Sequence, residues 1–98
     1  MNKKVAEITK TLESLKVRIK RDYKAEIVGI FGSYVRGEQK ESSDLDVLVN
    51  FLKGATLLNL VGLANFLEEK LSVRVDIVPI DTIREEIREY ILKEVVYL

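Results

Sequence analysis

The sequence predicts an α/β (α+β) fold: a short mixed β-sheet of about three strands with helices packed on it. Two kinds of hydrophobic periodicity carry that expectation. Apolar residues recur at steps of three and four in three segments, and three short β-branched runs lie between or beside those segments. The order they give is helix, strand, short helix, strand, helix, strand, helix. No internal repeat, linker or low-complexity stretch interrupts it, so residues 1–98 are expected to form a single domain.

Val5, Ile8, Leu12, Leu15 and Ile19 make one apolar stripe on a first helix of about twenty residues. Lys3, Lys10, Lys16 and Lys20, with Glu7 and Glu13, form its wet side. Ala25 to Phe31 is a buried strand that stops at Gly32-Ser33. Residues 34–43 are polar and contain Gly37 and Ser42-Ser43, which predicts a short helical turn and a loop. Asp44 to Phe51 reads as a second strand, broken by Gly54. Thr56 is the expected N-cap of a helix reaching Lys70, with apolar positions at 57, 60, 61, 64, 67 and 71. Ser72 to Val78 alternates as a third strand, which Pro79 ends. Thr82-Ile83-Arg84-Glu85 resembles a capping box, opening a last helix with Ile83, Ile87, Ile91 and Val95 at helical spacing.

Composition narrows the chemistry. There is no cysteine and no histidine, which excludes disulfides, thiol catalysis, Cys/His zinc sites and a Ser-His-Asp triad. Any metal must therefore sit among oxygen ligands, as Mg²⁺, Mn²⁺ or Ca²⁺ do. Sixteen basic residues balance sixteen acidic ones, against the cationic surplus of a protein that binds bulk nucleic acid. Met1-Asn2-Lys3-Lys4 leads into an amphipathic pattern, so no signal peptide is expected, and no segment suits a bilayer. A cytoplasmic address is the default.

Asp44 and Asp46 are two apart on a strand, so both side chains leave one face while Leu45, Val47 and Val49 take the other. Paired carboxylates repel, and a divalent cation relieves them. The same parity separates Asp76 from Val73, Val75 and Ile77. If the second and third strands are neighbours, about 4.8 Å apart, the three acids come within reach of a shared metal pair. Carboxylates around two ions suit in-line displacement at phosphorus, and Asp76 has a second role available as acceptor of a hydroxyl proton. Gly32-Ser33, between a strand and a helical turn, lets backbone N–H groups approach an anion, and the Ser33 hydroxyl adds a donor. Arg36, one turn on, is placed to reach the same phosphates, and Lys40 is a weaker candidate.

Phe31-Gly32-Ser33-Tyr34-Val35-Arg36-Gly37-Glu38, followed by Ser43-Asp44-Leu45-Asp46-Val47-Leu48-Val49, resembles the signature of the DNA polymerase β-type nucleotidyltransferase superfamily. It is most similar to the minimal members, the MntA-type antitoxins paired with HEPN toxins. Val75-Asp76-Ile77-Val78 places an acid where that family's third carboxylate is expected. The likeness runs from about residue 25 to 79, and the helix opened by Ile83-Arg84-Glu85-Glu86-Ile87 shares it. Tyr34 and Val35 stand where some relatives carry an arginine and a small residue.

The resemblance implies a polymerase β-like nucleotidyltransferase fold. Asp44, Asp46 and Asp76 would be the catalytic and metal-binding set for two Mg²⁺. Gly32, Ser33, Arg36 and Ser43 would bind the nucleotide, and ATP would be the substrate. It implies transfer of AMP to a tyrosine of a HEPN ribonuclease toxin. The short chain leaves little room for an acceptor pocket, which also favours a protein acceptor. Other readings are an aminoglycoside-type enzyme, although those carry a further helical domain, and an idle antitoxin acting by contact. Residue by residue, Asp76 has an alternative partner in Arg74, Arg36 in Glu38 or Glu41, and Lys40 in solvent. Self-association through apolar helix surfaces stays open.

Overall fold

The computed structural model describes residues 5–98, so Met1 to Lys4, including Lys3 of the first helix's wet side, lie outside it. Helix α1 (Val5–Tyr23) leads into strand β1 (Ala25–Phe31) and the single turn α2 (Ser33–Arg36). Strand β2 (Leu45–Phe51), helix α3 (Leu57–Leu71) and strand β3 (Val75–Pro79) follow, then a 3₁₀ turn at Ile80–Thr82, helix α4 (Glu85–Glu94) and strand β4 (Val96–Tyr97). The sheet order is β3-β2-β1-β4. β1 is antiparallel to β2 and β4, whereas β2 and β3 are parallel, joined by α3 as the crossover a parallel pair requires.

The expected mixed sheet is present with four strands rather than about three. β4 escaped the sequence reading because it is two residues long, too short for an alternation to register. Its place depends on Gly29. A Cβ there would lie 2.3 Å from the Val96 carbonyl oxygen and 2.6 Å from Val95 Cγ1, so only glycine lets β4 close on β1.

One face of the sheet packs against α1 and α3. Ile8, Leu12 and Ile19 meet Leu63, Phe66, Leu67 and Leu71 over Ala25, Ile27, Leu45, Val47 and Val49. A register shift between Ile27 and Gly29 inserts one residue into β1, returning Ile30 to this face and sending Phe31 to the other. On that second face Phe31, Leu48 and Val95 form a smaller cluster under Ile83, Ile91 and Leu92. Leu48 is fully buried there, although its parity matches Asp46 rather than Leu45.

Three expectations need correction. Leu57 and Val61 belong to the α3 stripe by spacing, yet they are 73% and 47% exposed, because the helix buries Leu63, Phe66, Leu67 and Leu71 instead. The third strand begins at Val75 and not Ser72, since Ser72 takes a left-handed conformation that terminates α3. The Thr82 capping box does not form: its hydroxyl donates to the Pro79 carbonyl at 2.7 Å, and α4 starts at Glu85. Thr56 does precede α3, with its N–H donating to Asn59 Oδ1 at 2.8 Å. Among the described residues no helix is long and apolar enough to cross a membrane.

Gly29→Ala is expected to cost about 1–3 kcal/mol through overpacking. The loss should appear as a lower urea midpoint, with faster amide exchange at Val96 and Tyr97.

Candidate active site

The chemistry-bearing residues gather where β1 ends and β2 and β3 begin. Parallel pairing sets Asp46 directly beside Asp76, and antiparallel pairing sets Phe31 beside Asp46. Neighbouring strands in register place these two carboxylates on the same face, as the alternation predicted. Asp44, just before β2, is exposed.

Gly32 closes onto Asp46. Its φ of 86° is a conformation that side chains disfavour, and a Cβ would lie 2.1 Å from Asp46 Oδ2. The turn between β1 and α2 is thus built against the Asp46 carboxylate itself. Both constraints demand glycine. Ser33 opens α2 and is partly exposed. Tyr34, in contrast, is buried in the main core, so it anchors the turn and does not face the carboxylates.

Burial pushes the Asp46 carboxyl up to about 6, and the charges of Asp76, Asp44 and Glu94 push the same way, with Arg36 opposing. The site therefore concentrates negative charge around one half-buried acid. That is the electrostatic environment a divalent cation stabilises, and the donors are all oxygens. The residues fit Mg²⁺ in chemistry and charge. Among the described residues, however, no three acidic side chains are drawn into a ready-made cage. Arg74 is one cause. Its Nε donates to Asp44 Oδ1 at 2.9 Å, and its Nη2 donates to the Ser42 carbonyl at 2.9 Å. Arg74 thus pairs with Asp44, not with Asp76.

Arg36 joins two acids. Its Nε donates to Glu38 Oε1 at 2.8 Å and its Nη1 to Glu94 Oε1; Glu41 is not involved. Ser43 accepts the Lys40 N–H on its hydroxyl at 2.9 Å, which fixes the loop ahead of Asp44. Lys40 itself is solvent-facing.

The residue that sequence reasoning missed is Glu94. Its Oε2 accepts the Gly32 N–H at 3.2 Å, which brings the end of α4 to the Gly-Ser turn. One signal was available: an acid in the last turn of a helix opposes the helix dipole and needs a compensating partner. A separate cleft of about 330 Å³ between α1 and β1 is lined by Lys16, Val17, Lys20, Glu26 and Ile27, and contains none of these residues.

This fold and this grouping of a Gly-Ser turn with strand-borne acids define a nucleotidyltransferase, and the chain belongs to the nucleotidyltransferase domain family, whose model matches residues 4–98. It is 40% identical over 92 residues to the protein adenylyltransferase MntA of Thermococcus cleftensis, covering 94% of this chain and 93% of that one. A solved structure described as a candidate minimal nucleotidyltransferase superposes with a TM-score of 0.81 at 37% identity, covering 99% of this chain and 98% of the other. A toxin–antitoxin structure containing AMP-PNP aligns with a TM-score of 0.57 at 28% identity, covering 74% of this chain and 60% of that one.

An acid with a raised pKa binds its proton more tightly in the folded chain than in the unfolded one. Its contribution to stability is full below about 4 and is lost as pH rises through about 6. Metal-free Asp46→Asn is therefore expected to melt above the parent at pH 8. The difference should close as pH falls to about 4; thermal denaturation across that range measures it.

Proposed function

We propose that this protein is a Mg²⁺-dependent protein adenylyltransferase, acting as an antitoxin that moves AMP from ATP onto a hydroxyl of a HEPN-type toxin. The observation that carries the reading is the in-register pair Asp46 and Asp76, with Gly32 closed onto Asp46. Support for the acceptor's class comes from the relative named as a protein adenylyltransferase and from the similar toxin–antitoxin structure. Residues 1–98 would act as one cytoplasmic domain without affinity for bulk nucleic acid.

Gly32, Ser33 and Arg36 bind the triphosphate, the first through its backbone N–H and the other two through side chains, with Ser43 ordering the approach to Asp44. Asp44, Asp46 and Asp76 would hold Mg²⁺, which supplies neutralisation of the charge on the attacking and departing oxygens. Asp76, being exposed, is open to the acceptor, takes the proton of its hydroxyl, and directs the oxygen at the α-phosphorus. The new O–P bond forms as the bond to pyrophosphate breaks, so the products are an AMP ester and pyrophosphate. Catalysis is positioning and field, with no covalent intermediate on the protein. For the Asp44 carboxylate to turn inward it must leave Arg74, an exposed pair that holds it weakly.

Incubation with ATP, Mg²⁺ and the HEPN partner, followed by intact-mass measurement, tests the reading. A gain of one or more AMP units on the partner is expected. A tight complex of unchanged mass would show an idle binder, and transfer only to added aminoglycosides would show a small-molecule enzyme. Asp46→Asn should reduce transfer by at least about a hundred-fold in the same assay.

Gly32→Ala should reduce transfer comparably while leaving Tyr34 and the core packed. Near-parental activity in that variant would mean that the turn is not part of the site.

A further inference from the structure

We infer that Glu94 is a built-in anion seated on the donors meant for the nucleotide's phosphates, so that a nucleoside triphosphate enters only by displacing it. This rests on the phosphate-binding role proposed above for Gly32 and Arg36.

The geometry is two-pronged. Glu94 Oε2 accepts the Gly32 N–H at 3.2 Å, while Oε1 accepts Arg36 Nη1. A backbone amide and a guanidinium held together by two oxygens of one anion is the arrangement by which a phosphate group would be gripped. The Glu94 side chain is only 23% exposed, and its bond from the Gly32 N–H is partly buried, while Arg36 closes over it from the solvent side at 48% exposed.

Charge makes the contact exclusive. Glu94 stands close enough to Asp46 to add to the repulsion from Asp76 and Asp44, and Arg36 is the cation opposing them. Bringing a triphosphate to the same turn without moving Glu94 would set two like-charged groups on one set of donors. Arg36 Nε is taken by Glu38 and Nη1 by Glu94, so a phosphate that is to use Nη1 together with the Gly32 N–H has to take both from Glu94.

Position explains why the carboxylate is there. Glu94 ends α4, where the helix dipole disfavours an acid, and Val95, next in the chain, is buried against Phe31 and Leu48. The packing of Val95 thus delivers a carboxylate that the helix alone would not favour.

The full chain and Glu94→Gln are titrated with a non-hydrolysable ATP analogue in Mg²⁺ by calorimetry. Glutamine keeps the shape and removes the charge. If the seat is taken about 90% of the time, apparent affinity is reduced about ten-fold, so Glu94→Gln should bind about ten-fold more tightly. Glu94→Asp, which withdraws the carboxylate by one methylene, should fall between the two and stands in for the first variant if that fails to fold. Equal or weaker binding by a folded variant would overturn the inference. If no form binds the analogue, tripolyphosphate is titrated instead. Tighter tripolyphosphate binding by the variants keeps the displacement and rejects the nucleotide as ligand, whereas no binding by any form rejects both.

Discussion

The structure turns on one close approach, that of the Gly32 backbone to the carboxylate of Asp46. A Cβ at position 32 would fall 2.1 Å from Asp46 Oδ2, so the turn and the acid are fitted to each other atom against atom. That approach adds to the burial of Asp46, and burial together with the neighbouring Asp76, Asp44 and Glu94 raises its pKa. A carboxylate that water solvates on all sides tolerates like-charged neighbours; one pressed against backbone does not. The fold accepts that cost at the site proposed here for phosphate transfer, a common relation between strain and function.

What holds the approach in place is the sheet. The extra residue in β1 between Ile27 and Gly29 turns Phe31 to the face shared by Asp46, Leu48 and Val95. Were β1 regular, Phe31 would point to the α1–α3 core, and the chain would leave the sheet with the opposite parity. On the other side, α3 brings β3 back parallel to β2, the arrangement that lines up Asp76 with Asp46. A bulge and a crossover, neither containing one of these acids, decide where the acids meet.

The small second cluster does more than bury Leu48. A chain of 98 residues has little surface to spare, and here one short helix both covers an apolar patch and carries Glu94 and Val95 to the site. β4 then locks that end down against Gly29. The occupancy of the Gly-Ser turn is therefore linked to the packing of the C-terminal segment. The exposed apolar residues of α3, Leu57, Leu58 and Val61, lie outside this arrangement.

Local patterns made most of this fold legible. The i, i+3, i+4 spacing of Ile8, Leu12 and Ile19 and the alternation that puts Asp46 and Asp76 on one face depend on neighbours within a few residues, and both came out as read. Residue chemistry likewise excluded thiol and imidazole catalysis outright. Long-range placement was not legible. Arg74 sits beside Asp76 in sequence but reaches Asp44, Arg36 selects Glu38 and Glu94 over Glu41, and a two-residue strand completes the sheet. Side-chain partners and edge strands are settled by which surfaces meet after the helices dock, and amino-acid periodicity contains no term for that. The sequence by itself determined which groups could perform the chemistry; only the packed chain decided that Glu94, 62 residues from Gly32, would share their space.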